Sequence, residues 1–343
     1  MKKKISLFLG FMLVLTLLAG CGQQKTTEPP KPADSQKTIT FRLGHVCQTE
    51  HPYHYASKYF ADQVAEKSKG RIKIDIYPAR QLGGDRDMLE MIINGSLDMG
   101  SISTCIFGGF TPLLDAYQLP FLIDSYEVLD KAIPGKASDE LLKGLEAINV
   151  KGLGVYDAGM RYLVMRKSPI NSLADMKGLK LRVSEAPLLV DIFNAIGASP
   201  VPMPYGEIYS ALQTGVIDGI EMDLSALVVE KHFEVAKYVT ESGHYTWPFA
   251  LIMNKKAWDS LSAEDKKIFE EAAKATYAFN HQNIRELDAK SLAFLKEKGV
   301  QFNKLSAEAV KAFREAEKPV YEKYTKKDAR IQAFVDEVNA LKK

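Results

Sequence analysis

Cysteine is scarce in this chain, with only 3 among its 343 residues. So few thiols exclude a fold that is built on a disulfide framework. Cys21 stands at the end of an N-terminal apolar run, which leaves Cys47 and Cys105 in the remainder of the chain. Pairing of these two in an oxidising compartment stays open, but we expect two unpaired, buried thiols.

A large excess of charge of either sign is also missing. Lys and Arg number 45 and Asp and Glu 43, so the formal net charge is +2. Three lysines lie within the first four residues, and without them the formal charge is −1. Binding of nucleic acid requires a clustered basic surface that neutralises phosphates. The near-neutral balance therefore argues against a nucleic-acid partner.

Short catalytic motifs are absent as well. The sequence contains no Walker glycine loop, no G-x-S-x-G elbow, no HExxH and no CxxC. His45, His51 and His54 form the only local group of histidines and are candidates for a zinc site. However, Pro52 interrupts their spacing and no acidic ligand motif accompanies them. We therefore favour helix-start and pocket-wall roles for these histidines and expect neither a metal nor a cofactor.

Carboxylates are abundant, but none lies inside an apolar run, where burial would perturb its pKa. Glu221 and Asp223 flank Met222 and are candidates for an acid/base pair. Capping and solvation of a turn is the favoured interpretation of the two. The sequence thus offers no convincing catalyst, and we expect that the protein is not an enzyme.

The N-terminus, MKKKISLFLGFMLVLTLLAGC, combines three lysines with an apolar run of about 16 residues, which is the layout of a secretory signal. Its LAGC ending resembles the lipobox of bacterial lipoproteins, which implies cleavage after residue 20 and lipid attachment to Cys21. An ordinary signal peptide with a chance cysteine is the alternative. Residues 21–38 carry prolines and no hydrophobic pattern, and they are expected to be a disordered tether to the membrane.

From Thr38 onward, strand-like and helix-like segments alternate, which predicts an α/β fold with a parallel sheet. Ligands collect at the carboxyl ends of such strands, so Val46–Tyr53 and Ser103–Cys105 are candidate pocket walls. The pattern restarts near Asp157, which predicts a second α/β unit. A helical pattern between Ser262 and Gly299 is long enough to brace both units. Two helices with a kink near residues 280–283 are the alternative.

Two arginines lie in apolar segments that have the pattern of β-strands. In GLKLRVSEAPLL, Leu181 and Val183 alternate with Arg182, and Arg161 lies in DAGMRYLVM. An internal ion pair is the commoner explanation for either residue alone. A guanidinium at a sheet edge over a cleft also suits bidentate capture of a carboxylate, and two such residues favour a ligand. Arg86, on an early helical turn, is expected to be solvated.

The segment LADMKGLKLRVSEAPLLVDIFNAIGASPVPMPYGEIYSALQTGVIDGIE resembles the solute-binding proteins of TRAP transporters, of the DctP-like class. GRIKIDIYPARQLGGDRDMLEMIINGSLDM, YQLPFLI and KKIFEEAA resemble the same family. The resemblance runs from about Phe41 to near the C-terminus. It implies a two-domain clamshell of the periplasmic-binding-protein type, in which each domain is a mixed or parallel sheet flanked by helices and a long helix spans both. The expected boundaries are 39–159 plus about 248–287 for domain I, and 160–247 plus about 288–343 for domain II.

The resemblance also implies a binding site. Arg182 and Arg161 match arginines that pair with the ligand carboxylate, and Tyr205 matches an aromatic residue that packs on the ligand. Many relatives have DGQEN where this chain has DGIEM, so Met222 replaces an asparagine and enlarges the apolar wall. Asp223 is a candidate for contact with a hydroxyl or an amine. The remaining residues expected at the site are Ser103, Thr104, Asp85, His45, Glu185, His244 and Trp247.

The N-terminal segment predicts an extracytoplasmic, lipid-anchored protein. The family resemblance implies that this protein closes on a small organic carboxylate and delivers it to an ion-driven TRAP permease in the membrane. A sugar acid or hydroxy acid is favoured, and an aromatic monocarboxylate stacked on rings is the alternative. Relatives that bind sialic acid have an acidic residue at the position of Ser103, so that ligand is not expected. A ligand-sensing subunit, or a secreted metal-dependent hydrolase, is a further alternative.

Overall fold

The computed structural model describes residues 38–342. The predicted signal segment, Cys21 and all but the last residue of the predicted tether lie outside the described residues. Within the described range, no helix combines the length and the apolar character needed to cross a membrane. Cys47 and Cys105 are both buried and unpaired, as expected.

Strands and helices alternate along the described chain, as the sequence predicts. The strands are β1 Ile39–Gly44, β2 Ile72–Tyr77, β3 Met99–Ser103, β4 Val150–Met160, β5 Tyr162–Met165, β6 Lys180–Val183, β7 Ser199–Pro202, β8 Gly219–Met222, β9 Tyr238–Glu241, β10 Thr246–Asn254 and β11 Gln301–Lys304. The α-helices are α1 Pro52–Lys67, α2 Asp85–Asn94, α3 Tyr126–Ala132, α4 Lys136–Lys143, α5 Pro187–Ala195, α6 Ile208–Thr214, α7 Leu224–Val229, α8 Lys255–Asp259, α9 Ala263–Glu297, α10 Ala307–Thr325 and α11 Ala329–Leu341.

The strands form two mixed sheets. The first sheet has the order β2-β1-β3-β10-β4, in which β1, β2 and β3 are parallel and β10 is antiparallel to β3 and β4. The second sheet has the order β11-β9-β5-β8-β6-β7, in which β6 is parallel to β7 and β8. Helices flank both sheets, so the predicted two-domain α/β clamshell is confirmed.

The chain passes between the sheets along two short strand-to-strand connections. Arg161 alone separates β4 from β5, and residues 242–245 separate β9 from β10. The two connections are joined, because the Arg161 amide donates to the Tyr245 carbonyl at 3.0 Å. These connections therefore place Arg161 at the boundary of the two domains.

Helix α9 is continuous over 35 residues, so the alternative of two helices with a kink does not hold. The Ser262 side chain accepts a hydrogen bond from the Asp265 amide and caps its start. Along its length α9 packs on α1 and β4 of the first domain and on α7 of the second. The helix C-terminal to it, α10, packs on α5, whereas α11 packs on α3 and α4. The exact domain boundaries stay a prediction.

The aromatic core under α9 provides a test of this arrangement. Phe269 is fully buried, with its ring 5.9 Å from Phe41, 5.8 Å from Phe60 and 6.2 Å from Trp258, centroid to centroid. We expect Phe269→Ala to lower the free energy of unfolding by about 3–5 kcal/mol, because it removes buried apolar surface and leaves a cavity. The measurement is urea denaturation followed by circular dichroism.

Phe279 is the matched control on the same helix. Its ring is half-buried and stacks on Tyr59 with 4.3 Å between centroids. Phe279→Ala should cost much less than Phe269→Ala, since aromatic pairs of this kind contribute about 0.5–1.5 kcal/mol beyond burial. Equal losses of stability in the two variants would contradict this account of the core.

Candidate functional site

A cavity lies between the two sheets, at the carboxyl ends of their parallel strands, which is where α/β sheets bind ligands. About 530 Å³ of the cavity is not filled by protein atoms, and this volume includes the part that is open to solvent. The first domain contributes Val46, Cys47, His51, Tyr53, Gly84, Asp85 and Ile106, the second contributes Arg182, Ser184, Glu185, Pro204, Tyr205 and Asp223, and the remaining two are Arg161, between β4 and β5, and Trp247, near the start of β10.

Arg182 projects from β6 into this cavity and is only 3% exposed. Its Nε donates to the Met203 carbonyl at 3.0 Å. Within residues 38–342, neither terminal guanidinium nitrogen has a hydrogen-bond acceptor and no carboxylate forms an ion pair with it. The pKa of Arg182 is lowered, mainly because the side chain is buried. The charge of Glu221 raises this pKa, and the nearby charge of Arg161 lowers it further. Arg182 is thus a buried cation whose two outer nitrogens face the cavity without a partner.

Arg161 lines the same cavity, but its charge is already neutralised. Its Nε donates to the Glu221 carboxylate, its Nη2 to the Glu221 carbonyl, and its Nη1 to Asp223 at 2.8 Å. Its guanidinium carbon lies 3.9 Å from the ring centroid of Trp247. Burial alone would lower the pKa of Arg161, but the charges of Glu221 and Asp223 outweigh it and the pKa is raised. The structure therefore differs from the expectation that Arg161 offers a second free guanidinium.

Strand pairing explains how Arg161 meets its partners. Strand β5 runs antiparallel to β8, with Tyr162 opposite Met222. This register places Arg161 beside the residues that follow β8. Asp223 also caps α7 by accepting from the Ala226 amide at 2.8 Å, and its carboxylate lies 3.5 Å from Nε2 of His51. Burial would raise the pKa of Asp223, but His51 and Arg161 lower it overall.

Met222 does not form part of the cavity wall, contrary to expectation. It is 1% exposed and packs in the core of the second domain with residues such as Leu212 and Leu227. Its sulfur lies 3.8 Å from Nη1 of Arg161. Because side chains alternate along β8, Glu221 and Met222 point to opposite faces of the strand. Met222 thus contacts Arg161 from within the core of the second domain and does not enlarge the cavity.

Four other expected site residues lie behind the wall and do not line the cavity. Ser103 Oγ lies 3.2 Å from the Cys105 sulfur, and Thr104 donates to Gln118 and to the Pro248 carbonyl. The other two are His45, whose Nε2 lies 3.2 Å from Nδ1 of His54, and His244, which is hydrogen-bonded to Ser242. In the turn after β3 it is Ile106 that reaches the cavity.

The three histidines of the N-terminal segment do not converge on one point. His45 contacts His54, whereas His51 begins α1 and approaches Asp223. No cluster of three or more His, Cys, Asp or Glu side chains in the described part of the chain is arranged to hold a metal ion. The zinc-hydrolase alternative therefore gains no support from the geometry.

Three polar groups around Arg182 have unused hydrogen-bonding capacity. The hydroxyls of Tyr53 and Tyr205 and Oδ1 of Asp85 are buried without a partner among residues 38–342. Burial raises the pKa of Asp85 to about 7, and the charge of Glu185 adds to this, while the Ser103 amide and Arg182 oppose it. Contrary to the sequence-based expectation, a carboxyl group with a perturbed pKa is thus present. A ligand with an anionic end and several hydroxyls matches this set of donors and acceptors.

The rings at the site present little free surface for stacking. Tyr53 already stacks on Phe249 with 4.0 Å between centroids, and Arg161 covers one face of Trp247. The sequence analysis missed four lining residues, which are Gly84, Ile106, Ser184 and Pro204. Ser184 directly follows β6 and Pro204 follows β7, so the rule that ligands bind at the carboxyl ends of strands, extended to the second domain, would have found these two.

Comparison with known proteins gives a consistent picture. The family described as bacterial extracellular solute-binding protein, family 7 (DctP), matches residues 43–328. The C4-dicarboxylate-binding periplasmic protein DctP of Rhodobacter capsulatus is 32% identical over 289 residues, which cover 83% of this chain and 86% of that protein. The 2,3-diketo-L-gulonate-binding periplasmic protein YiaO of Escherichia coli (strain K12) is 30% identical over 262 residues, which cover 76% of this chain and 80% of that protein.

The fold has a similar counterpart among solved structures. The sugar acid binding protein DctPAm from Advenella mimigardefordensis strain DPN7T, crystallised in complex with galactonate, superposes with a TM-score of 0.85. The two sequences are 30% identical, and the match covers 89% of this chain and 99% of that chain.

The pairing of Arg161 with Glu221 can be tested through stability. Glu221→Gln should lower the free energy of unfolding at pH 7 by about 3 kcal/mol or more, because it removes one partner of a buried ion pair. Glu185→Gln is the control, since Glu185 lines the same cavity but forms no ion pair among the described residues. The measurement is urea denaturation of both variants. Indistinguishable stabilities would show that Arg161 does not depend on Glu221.

Proposed function

The chain belongs to family 7 of the bacterial extracellular solute-binding proteins, the DctP family that serves TRAP transporters, and we propose that its cavity captures a sugar acid or related hydroxy acid that carries one carboxylate. The two domains close on the ligand, and the closed form delivers it to an ion-coupled TRAP permease. The ligand favours the closed state through its higher affinity for that state.

The observation that carries the proposal is the unpaired guanidinium of Arg182. It is 3% exposed, and its two outer nitrogens lack acceptors among residues 38–342. A carboxylate fits the two parallel N–H groups of a guanidinium and forms charge-assisted hydrogen bonds with them. A bound carboxylate therefore supplies the negative charge that the described part of the chain does not place there.

The charges of the cavity favour a monocarboxylate over a dicarboxylate. Arg161 is neutralised by Glu221 and Asp223, so among the described residues that line the cavity Arg182 is the cation available to an anion. Glu185 lies on the cavity wall and would repel a second carboxylate. The hydroxyls of Tyr53 and Tyr205 and the carboxyl of Asp85 instead suit a chain of hydroxyl groups. Galactonate, bound by DctPAm, and the diketogulonate of YiaO belong to this chemical class.

An aromatic monocarboxylate fits less well. Such a ligand gains affinity by stacking on exposed aromatic rings of the protein. It also requires a wall with few polar groups, because it cannot form hydrogen bonds with them. Here Tyr53 is already stacked on Phe249, and three polar groups on the wall of the same cavity have no hydrogen-bond partner among residues 38–342. The polyhydroxylated acid satisfies those groups, whereas an aromatic ring would bury them unpaired.

We also propose that the cavity binds its ligand without transforming it. Ser184 and Cys47 line the cavity, but neither is hydrogen-bonded to a histidine or carboxylate among residues 38–342. A nucleophile that is not hydrogen-bonded to such a base is not activated by it. The candidate general base Asp223 is held by Arg161 and by the amide of Ala226.

The N-terminal sequence supports a location outside the cytoplasm. We propose that residues 1–20 are a signal peptide, that Cys21 is lipidated, and that residues 21–38 connect the lipid to the binding domains. An anchored receptor of this kind stays close to a membrane permease. Labelling with a radioactive fatty acid, compared between the natural chain and Cys21→Ala, tests the anchor.

The central test is binding by the natural chain and by Arg182→Ala. In isothermal titration calorimetry, galactonate or glucuronate should bind, with succinate and benzoate much weaker. Arg182→Ala should weaken binding at least tenfold while the protein stays folded, since losing one partner of a desolvated charge pair costs about 2–5 kcal/mol. Arg86→Ala is the control, because Arg86 pairs with Glu90 on the exposed face of α2. Unchanged affinity in folded Arg182→Ala would refute the assignment, and tightest binding of succinate would refute the charge argument.

The pH dependence of binding tests the role of Asp85. The pKa of Asp85 is about 7 in the closed structure, whereas an aspartate in water ionises near 3.9, about 3 pH units lower. Closure therefore takes up a proton at Asp85. The contribution of Asp85 to the stability of the closed state, relative to the open state, is fully present below about pH 4 and is lost as the pH rises to about 7. Affinity for galactonate should fall as pH rises from 5 to about 7, and Asp85→Asn should remove most of this fall. Glu185→Gln should retain it, and parallel profiles for the natural chain and Asp85→Asn would contradict the prediction.

A further inference from the structure

The connection between β2 and α2 has an unusual backbone. Ala79 and Arg80 have φ angles of 52° and 66°, in the left-handed region that residues with a side chain seldom adopt. The connection is held against the loop that follows β1, because the Ala79 amide donates to the Cys47 carbonyl at 2.8 Å and the Arg80 amide to the His45 carbonyl at 3.3 Å. Such a backbone persists only where its surroundings fix it, and it is often found at functional positions.

This backbone directs the side chain of Arg80 across the cleft. Its Nη1 donates to the Val46 carbonyl and to Oε1 of Glu230, both at 2.9 Å, and its Nη2 donates to Oε2 of Glu230 at 3.4 Å. Its guanidinium carbon lies 5.4 Å from the ring centroid of Tyr205. Val46 belongs to the first domain, whereas Glu230 follows α7 and Tyr205 follows β7 in the second domain.

The partners of Arg80 connect the two walls of the cavity. Val46 and Tyr205 both line it, one from each domain. The side chains of Arg80 and Glu230 are 25% and 14% exposed, so the pair lies at the rim, where water can enter when the domains separate. The ion pair between Lys58 and Asp62 or between Arg86 and Glu90, in contrast, lies within one helix and is insensitive to domain movement.

We propose that Arg80 and Glu230 form a latch that holds the two domains closed over the bound acid and sets the rate at which the acid leaves. The latch rests on the proposed function, since it acts on the ligand of the same cavity. Closing brings the guanidinium fork onto the carboxylate of Glu230 and onto the Tyr205 ring, and opening returns both charged groups to water. The pair therefore stabilises the closed state without touching the ligand.

The experiment measures association and release separately. Arg80→Gln and Glu230→Gln are prepared in the full chain, and binding of galactonate is followed by stopped-flow tryptophan fluorescence. Each substitution should speed release about tenfold, because it unpairs a partly buried charge, with little change in the association rate. The double variant should release no faster than the faster single variant, since the two residues act through one contact. Arg80→Lys should be intermediate, because lysine keeps the charge but lacks the planar fork.

A ligand-independent readout accompanies the kinetics. Spin labels placed on exposed sites of the two domains report the separation of the domains in the absence of ligand. Arg80→Gln and Glu230→Gln should both shift the distance distribution toward wider separations. Arg86→Gln is the matched control near the same connection and should change neither the release rate nor the distances.

The outcomes distinguish failure of the latch from failure of the proposed function. If folded Arg80→Gln and Glu230→Gln release galactonate at the rate of the natural chain and keep its distance distribution, the latch is overturned. If the natural chain binds no sugar acid or hydroxy acid at all, the proposed function fails, while the spin-label distances still decide whether the pair holds the domains closed. Glu230→Gln leaves the connection around Ala79 untouched, so a folding defect confined to Arg80 variants does not prevent the test.

Discussion

A guanidinium that is removed from water without a negative partner is a costly arrangement, and within residues 38–342 Arg182 is such a group in the cavity between the two sheets. Moving a charged group into a protein interior costs several kcal/mol even after relaxation. Arg182 is 3% exposed and keeps one hydrogen bond, to the Met203 carbonyl. Its lowered pKa reflects this burial and the repulsion from Arg161. In the proposed mechanism, an anion that enters between the domains pairs with Arg182 and offsets this cost. The closed state is therefore more stable with the ligand bound than without it.

The surrounding charges make that preference selective. Arg161 lies in the same cavity, yet Glu221 and Asp223 already neutralise it, and Trp247 covers its face. In the proposed binding mode, the anion therefore meets Arg182, which among residues 38–342 is the one guanidinium of the cavity wall without an ion-pair partner. Farther out, the Arg80–Glu230 pair joins the rims of the two domains. In the proposed mechanism the three arginines have different roles. Arg182 receives the ligand, Arg161 is a fixed part of the domain boundary, and Arg80 fastens the closed form.

Much of the fold, but less of the site, could be predicted from the sequence. Alternation of apolar residues around Arg182 correctly predicted a strand, although not that Arg182 is 3% exposed, and the pattern after Ser262 correctly predicted one long helix. The partners of Arg161 could not be predicted, because they lie about 60 residues away and meet it only through the pairing of β5 with β8. The perturbed pKa of Asp85 was missed for a similar reason, since it depends on burial in the cavity and on groups far away in the sequence, namely Ser103, Arg182 and Glu185.

A crystal structure of the protein with a sugar acid bound would test the central claim most directly. The account predicts that both carboxylate oxygens of the ligand lie about 2.7–2.9 Å from the two terminal nitrogens of Arg182, while Arg161 keeps its bonds to Glu221 and Asp223. A ligand carboxylate bound to Arg161, or a ligand-bound Arg182 paired with an acidic side chain of the protein, would contradict it.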